Sequence, residues 1–139
     1  MIAAAVFTSL AALTSCSKEA RQEAAAESAA ESAVDVVEDY CDVIESIKDK
    51  ESAQKAIEKM DGIADDFGKI AGKSRKAAGT PPDAEAQAKM QEDMKPLNDR
   101  LAKAMPGAMG VLATDPALVK AFQEKSMLIA TKMQEAATK

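Results

Sequence analysis

Few side chains in this chain could do chemistry, and their types narrow what that chemistry would be. Carboxylates come first. Asp35, Glu38, Asp39, Asp42 and Glu45 recur at three- and four-residue spacing, which gathers them on one face of a helix. Such a stripe is a candidate interaction face for a basic partner surface or a divalent cation. It lacks the Asp-x-Asp-x-Asp-Gly loop that shapes a calcium site, so a solvated face is the plainer reading. Thioethers come second. Met90 with Met94 and Met105 with Met109 form i,i+4 pairs, and thioether sulfur favours soft ions such as Cu(I). Met60, Met127 and Met133 stand at further helical positions, where methionine also serves as an adaptable core filler. Core packing is therefore the favoured expectation for the methionines. Met105 and Met109, beside Pro106-Gly107, also fit a flexible apolar groove for a partner helix. The third group is the Cys41 thiol, which lies between Val37 and Ile44 on an apolar stripe. A buried structural thiol is expected there, with an intermolecular disulfide or a redox role as the alternative.

What the chain lacks is equally informative. Its 139 residues contain no histidine, the commonest metal ligand and the side chain best placed to move protons near neutral pH. Ser-His-Asp and Cys-His arrangements are thereby excluded, as is haem attachment through Cys-x-x-Cys-His. The glycines are scattered singly, so no phosphate-binding loop is present. The net charge of −5 argues against nucleic acid, which requires clustered cations in excess. It also argues against adhesion of the domain itself to an anionic bilayer. The expectation is a protein that is not an enzyme and needs no cofactor.

One further cysteine has a different context. Ile2 to Leu13 is apolar or small throughout, and every charged residue of the chain lies beyond it. A short apolar core ahead of a small-residue cleavage site is the pattern of a secretory signal peptide. Twelve such residues are too few to span a bilayer as a helix, which takes roughly 20. The stretch ends in Leu13-Thr14-Ser15-Cys16, which resembles the lipobox of bacterial lipoproteins. The resemblance covers residues 1–16 only. It implies cleavage before Cys16 by the lipoprotein signal peptidase, a covalent diacylglyceryl lipid on Cys16, and attachment of the protein to a membrane of the cell envelope. Ser rather than Asp at position 17 resembles signals for outer-membrane delivery facing the periplasm. The segment departs from the usual pattern in having no Lys or Arg ahead of its apolar core, a departure that a start further upstream would explain. With Cys16 lipidated, Cys41 has no partner for an intramolecular disulfide.

The expected organisation is a signal peptide at 1–15, a lipidated cysteine and tether at 16–33, and one helical domain at 34–139. Residues 17–33 repeat Ala-Glu-Ser-Ala imperfectly and hold no large apolar side chain, so they read as a helical or disordered tether with nothing to bury. Four periodic segments follow. Val34 to Lys48 is amphipathic, with Val36, Tyr40, Val43 and Ile47 beside its stripe. Asp49 to Ser52 is a turn and cap. A second helix runs from Glu51 to Ala78 along Ala53, Ile57, Met60, Ile63, Ala64, Phe67, Ile70 and Ala71, softened by Gly62, Gly68 and Gly72 and stopped by Gly79. Its basic end, in a hairpin turning near residue 50, comes beside Glu27 and Glu31. Thr80 caps a third helix with Pro81 at its first position. Pro96 kinks or breaks that helix, and it ends near Pro106-Gly107, with a further turn at Ala108 to Ala113. Asp115-Pro116 opens the last helix, whose inner face is Leu118, Val119, Phe122, Ser126, Ile129, Ala130 and Met133, widened by Met127 and Leu128. With no strand signal, the fold expected is an all-α antiparallel bundle of about four helices, or three if the first segment docks only in part. The function expected is a structural or protein-interaction module with a partner in the envelope. A small-ligand or soft-metal carrier built on the methionines is the alternative.

Overall fold

The computed structural model of the chain describes the backbone of residues 6–77, 80 and 83–137, and the side chains of 18–77, 80 and 83–135. Among the described residues the protein is an all-α bundle of four helices with no strand: α1 Val6–Glu45, α2 Lys50–Lys76, α3 Ala84–Leu112 and α4 Pro116–Ala137. No helix among these residues is long and apolar enough to cross a membrane.

The polar chemistry at the helix ends explains where they start. Asp49 is the N-cap of α2: its carboxylate accepts the Ser52 amide at 2.8 Å, while the Ser52 hydroxyl accepts the Asp49 amide at 2.9 Å. This reciprocal capping box satisfies two amides that the first turn leaves without partners. Asp115 opens α4 as expected, its carboxylate taking the Ala117 amide at 2.9 Å and its carbonyl the amides of Leu118 and Val119. Pro116 is the first residue of that helix, where a missing N–H costs nothing. The cap of α3 differs from expectation. Asp83, not Thr80, accepts the first-turn amide, that of Ala86 at 2.6 Å. A residue followed by proline is biased away from helix, which works against a start at Pro81; Asp83 is free of that constraint. Pro81, Pro82 and the expected stop at Gly79 lie outside the described residues.

Polar contacts across the helices give their directions. Lys73 of α2 donates to Ser32 Oγ of α1 at 2.7 Å, and α1 and α2 are joined by the short turn at 46–49, so they form an antiparallel hairpin. On α3, Lys89 faces Glu31 and Arg100 faces Asp42 and Glu45; both sequences ascend together, so α3 runs parallel to α1. Lys50 with Asp115 and Lys125 with Asp61 show in the same way that α4 runs parallel to α2. Successive helices therefore alternate in direction. The extensive interfaces, however, are α1 with α2, α1 with α3 and α2 with α4, while α3 has little contact with α2 or α4. The α1/α2 hairpin is a spine with one outer helix laid along each member.

The core follows from this arrangement. All eight residues expected on the inner face of α2 are buried, as is Ala56. Cys41, Ile44, Met60 and Leu112 are the largest fully enclosed side chains. The three glycines of α2 have open space around them, and the helix passes through all three without a break. On α4, Leu118, Phe122 and Ile129 are buried, whereas Met127, Leu128 and Met133 are 71%, 39% and 43% exposed and Ala130 is exposed too. The expected inner face was thus too wide, because α4 is covered essentially by α2 alone.

Two other differences concern segments expected to be weak. α3 does not end near Pro106 but continues through both prolines to Leu112. Each proline removes one hydrogen bond, freeing the carbonyls of Glu92 and Ala102. Pro96, Pro106, Glu92 and Ala102 are all exposed, so water can satisfy those carbonyls while Leu97, Ala108 and Leu112 stay buried on the other side. The expected tether, in turn, is continuous with α1, and Ala26, Ala29 and Ala30 within it are buried. Alanine is small enough to be covered at close helix approach even where no large side chain exists. Packing thus begins about eight residues before Val34. The residues of the lipobox and the signal segment have no described side chains, and 1–5 lie wholly outside the described residues.

Because Leu112 is fully enclosed where α3 turns into α4, Leu112→Ala is expected to cost about 2–5 kcal/mol in urea unfolding. Met109→Ala, three residues earlier on an exposed face, should cost below about 0.5 kcal/mol.

Candidate functional site

The acidic stripe of α1 meets an arginine. Arg100 on α3 sends its Nε to Glu45 Oε1 at 3.0 Å and one terminal nitrogen to Glu45 Oε2 at 2.8 Å and Asp42 Oδ1 at 2.6 Å. Its other terminal nitrogen lies 3.9 Å from Glu38. Three of the five carboxylates expected to form an interaction face are therefore occupied within the chain. The planar guanidinium suits this task, since its donors form a fixed fork that a lysine lacks. Asp39 and Asp35 remain exposed, and Asp35 lines a separate groove further down α1. The Arg100 hydrogen bonds hold the Glu45 carboxyl below its ordinary range, and the carboxylates in turn raise the Arg100 guanidinium.

Cys41 lies directly beneath this clamp. It is fully buried and free, and its Sγ donates to the Leu97 carbonyl at 3.4 Å. Burial pushes the thiol pKa up; Arg100 opposes the shift, and the neighbouring carboxylates reinforce it. A neutral, enclosed thiol is a poor nucleophile. Nearby, burial likewise raises the Tyr40 phenol. The Ser126 hydroxyl of α4 is close enough to oppose that shift, yet Ser126 Oγ finds no partner at ordinary hydrogen-bond geometry.

The methionines do not converge. Met60 alone among the described methionines is fully buried; Met90, Met94 and Met105 are half-buried, and Met109 is 40% exposed. The expectation of a general core role is thus corrected, because the outer helices carry most of these residues and are covered on one side only. From Met94 to Met105 the helix advances about 16 Å. The two pairs therefore cannot share one ion, and each alone supplies only two thioethers. Among the described residues, no group of three or more Cys, Asp or Glu side chains is placed to hold a metal.

One cavity of about 310 Å³ lies between the lower parts of α1 and α3. Glu27, Glu31, Asp35 and Asp93 line it together with Lys89 and Met90. The basic end of α2 does come to this end of α1, but its contact is Lys73 to Ser32, and Glu31 faces Lys89 of α3 instead. Sequence reasoning missed Arg100 and this groove. The available signal was an arginine, the one in α3, set between Leu97 and Leu101 on the stripe that faces α1.

No protein-family model, curated protein or solved structure matches the chain.

Two outcomes follow from this geometry. Glu45 has a lower pKa folded than unfolded, so its contribution is present above the ordinary carboxylate range and is lost as pH falls through the depressed value. The stability difference between the protein and Arg100→Gln should therefore be largest near neutral pH, shrink at acid pH, and fall with added salt. Cys41 should react with a thiol reagent only slowly under native conditions. A disulfide-linked dimer on non-reducing gels that Cys41→Ser abolishes would contradict the enclosed position.

Proposed function

We propose that this protein is a lipid-anchored lipoprotein of the bacterial cell envelope whose helical bundle acts as a structural or protein-interaction module. The observation that carries the reading is Leu13-Thr14-Ser15-Cys16 directly behind an uncharged apolar segment at the N-terminus. On this reading residues 1–15 are removed, Cys16 carries the lipid, and the rest of α1 leads from the anchor into the bundle. The membrane is engaged through the lipid, and Ser17 favours the periplasmic side of the outer membrane over the inner membrane. The partner is another envelope protein, nucleic acid being disfavoured by the acidic net charge.

The internal chemistry supports a non-catalytic role. The buried thiol, the Arg100 clamp and the helix caps all join parts of this chain to one another, and each has a structural use. The dispersed methionines give little support to a soft-metal carrier, and no other cofactor follows from the residues present.

The test is metabolic labelling with a radioactive fatty acid in the producing bacterium. The chain should take up label and fractionate with membranes, and Cys16→Ser should lose the label and appear in the aqueous fraction. Label that persists in Cys16→Ser, or an uncleaved N-terminus on the labelled protein, would sink the reading. Crosslinking on intact membranes then identifies the partner.

A further inference from the structure

The two halves of α3 are attached to the spine by very different means. From Leu97 onward the helix is pinned: Leu97, Ala108 and Leu112 are buried, Arg100 grips Asp42 and Glu45, and the Cys41 thiol donates to the Leu97 carbonyl. Before Pro96 no residue of α3 is buried. The ion pair there, Lys89 with Glu31, is long at 3.8 Å, and its side chains are 67% and 71% exposed, so it holds little. Beneath part of this half lies the 310 Å³ cavity, and its best-covered side chains, Ala86, Gln87, Met90 and Met94, are only half-buried. Pro96 stands at the boundary and removes the hydrogen bond to the Glu92 carbonyl. The far end of the segment is joined to α2 by a connection containing Gly79, Pro81 and Pro82.

We propose that residues 84–95 form an arm that opens about Pro96 while the remainder of α3 stays clamped. Segments with few buried apolar contacts and solvent-exposed backbone hydrogen bonds open locally, well below the cost of global unfolding. Here Pro96 separates the clamp at Arg100 from the cavity beneath Ala86, Lys89, Met90 and Asp93. Opening uncovers buried Ala30 and half-buried Val34 on α1, beside the already exposed carboxylates of Glu27, Glu31 and Asp35. The apolar strip released is small-residue helix beside that acidic rim, and Ala86, Lys89 and Met90 of the arm face it across the cavity in the closed form. This inference is independent of lipidation at Cys16.

The molecule contains its own reference for a test. Ala30 lies under the arm, whereas Cys41 lies under the clamp. In the full chain bearing Ala30→Cys, the rate of thiol modification at each site is read by peptide-resolved mass spectrometry. The thiol introduced at position 30 is expected to react at least tenfold faster than Cys41. Adding Pro96→Ala, which restores the missing hydrogen bond at an exposed site, should slow that reaction at least threefold and leave Cys41 unchanged. Amides of 84–95 should also exchange with deuterium at least tenfold faster than those of 97–112. Equal thiol rates would mean that α3 opens as one unit and would overturn the proposal. So would a fast reaction at position 30 that Pro96→Ala does not slow, since that means direct access through the cavity without hinge motion.

Discussion

Burial of α2 on two sides is the constraint from which the rest of the bundle follows. Nine of its residues are buried, from Ala53 to Ala71, and they serve two interfaces at once, one with α1 and one with α4. A helix used in this way needs a wide apolar face, and the mixture of Ala with Ile, Met and Phe supplies it. Ala53, Ala56 and Ala64 are each 2% exposed or less; such small residues bring backbones close, while Ile57, Met60 and Phe67 fill the space between them. Close packing of this kind takes dispersion energy from many contacts, which suits a chain with only 3% aromatic residues. Once α2 is fixed against α1, α3 and α4 can be added from outside, and neither needs more than one buried residue per turn or two.

The outer helices consequently rely on polar contacts to set their position. Lys50 with Asp115, at 2.5 Å, lies where α2 and α4 begin, and this pair lowers the Asp115 carboxyl while leaving it free to take the Ala117 amide. Lys125 and Asp61 repeat the arrangement further along. Arg100 does the same for α3 on α1. Pairs this exposed contribute little to stability individually, but each is directional, and an outer helix with a narrow apolar stripe could otherwise slide or rotate. The polar pairs specify register; the apolar contacts supply the attraction.

How much of this the sequence reveals depends on whether the signal is local. The inner face of α2, the Asp49 cap and the Asp115-Pro116 start are written in a few neighbouring residues, and all are where periodicity and capping chemistry put them. Three features were not legible because they depend on distant residues. The acidic stripe looks like a solvated face until Arg100, 55 positions beyond Glu45, is brought across it. Ala26, Ala29 and Ala30 look idle until α2 and α3 cover them. The prolines at 96 and 106 look like breaks until they, and the residues whose carbonyls they free, prove to lie on the exposed side of α3. In each case the local rule is sound, but the side of the helix on which it acts is decided by tertiary packing. The four methionines of α3 show the same limit in reverse, since their i,i+4 pairing is real while convergence would demand a second element that the fold does not bring to them.

α1 connects these structural points to the proposed anchor. Its backbone is continuous from Val6 to Glu45, while the first buried residue among its described side chains is Ala26. On the reading that Cys16 carries the lipid, ten residues of helix separate anchor from bundle, about 15 Å at 1.5 Å per residue. A helix of that length transmits orientation, whereas a flexible linker of the same ten residues would let the domain turn freely. The end of the bundle nearest the membrane would then hold the last turn of α2, the first turn of α3 and the groove beneath the arm. The α1/α2 and α3/α4 turns, with the Arg100 clamp between them and the groove, would lie at the far end or toward it. A partner reaching from the aqueous side meets the well-packed part of the molecule first. On the same reading, one close to the membrane would meet the groove and the first half of α3, where no residue of that helix is buried.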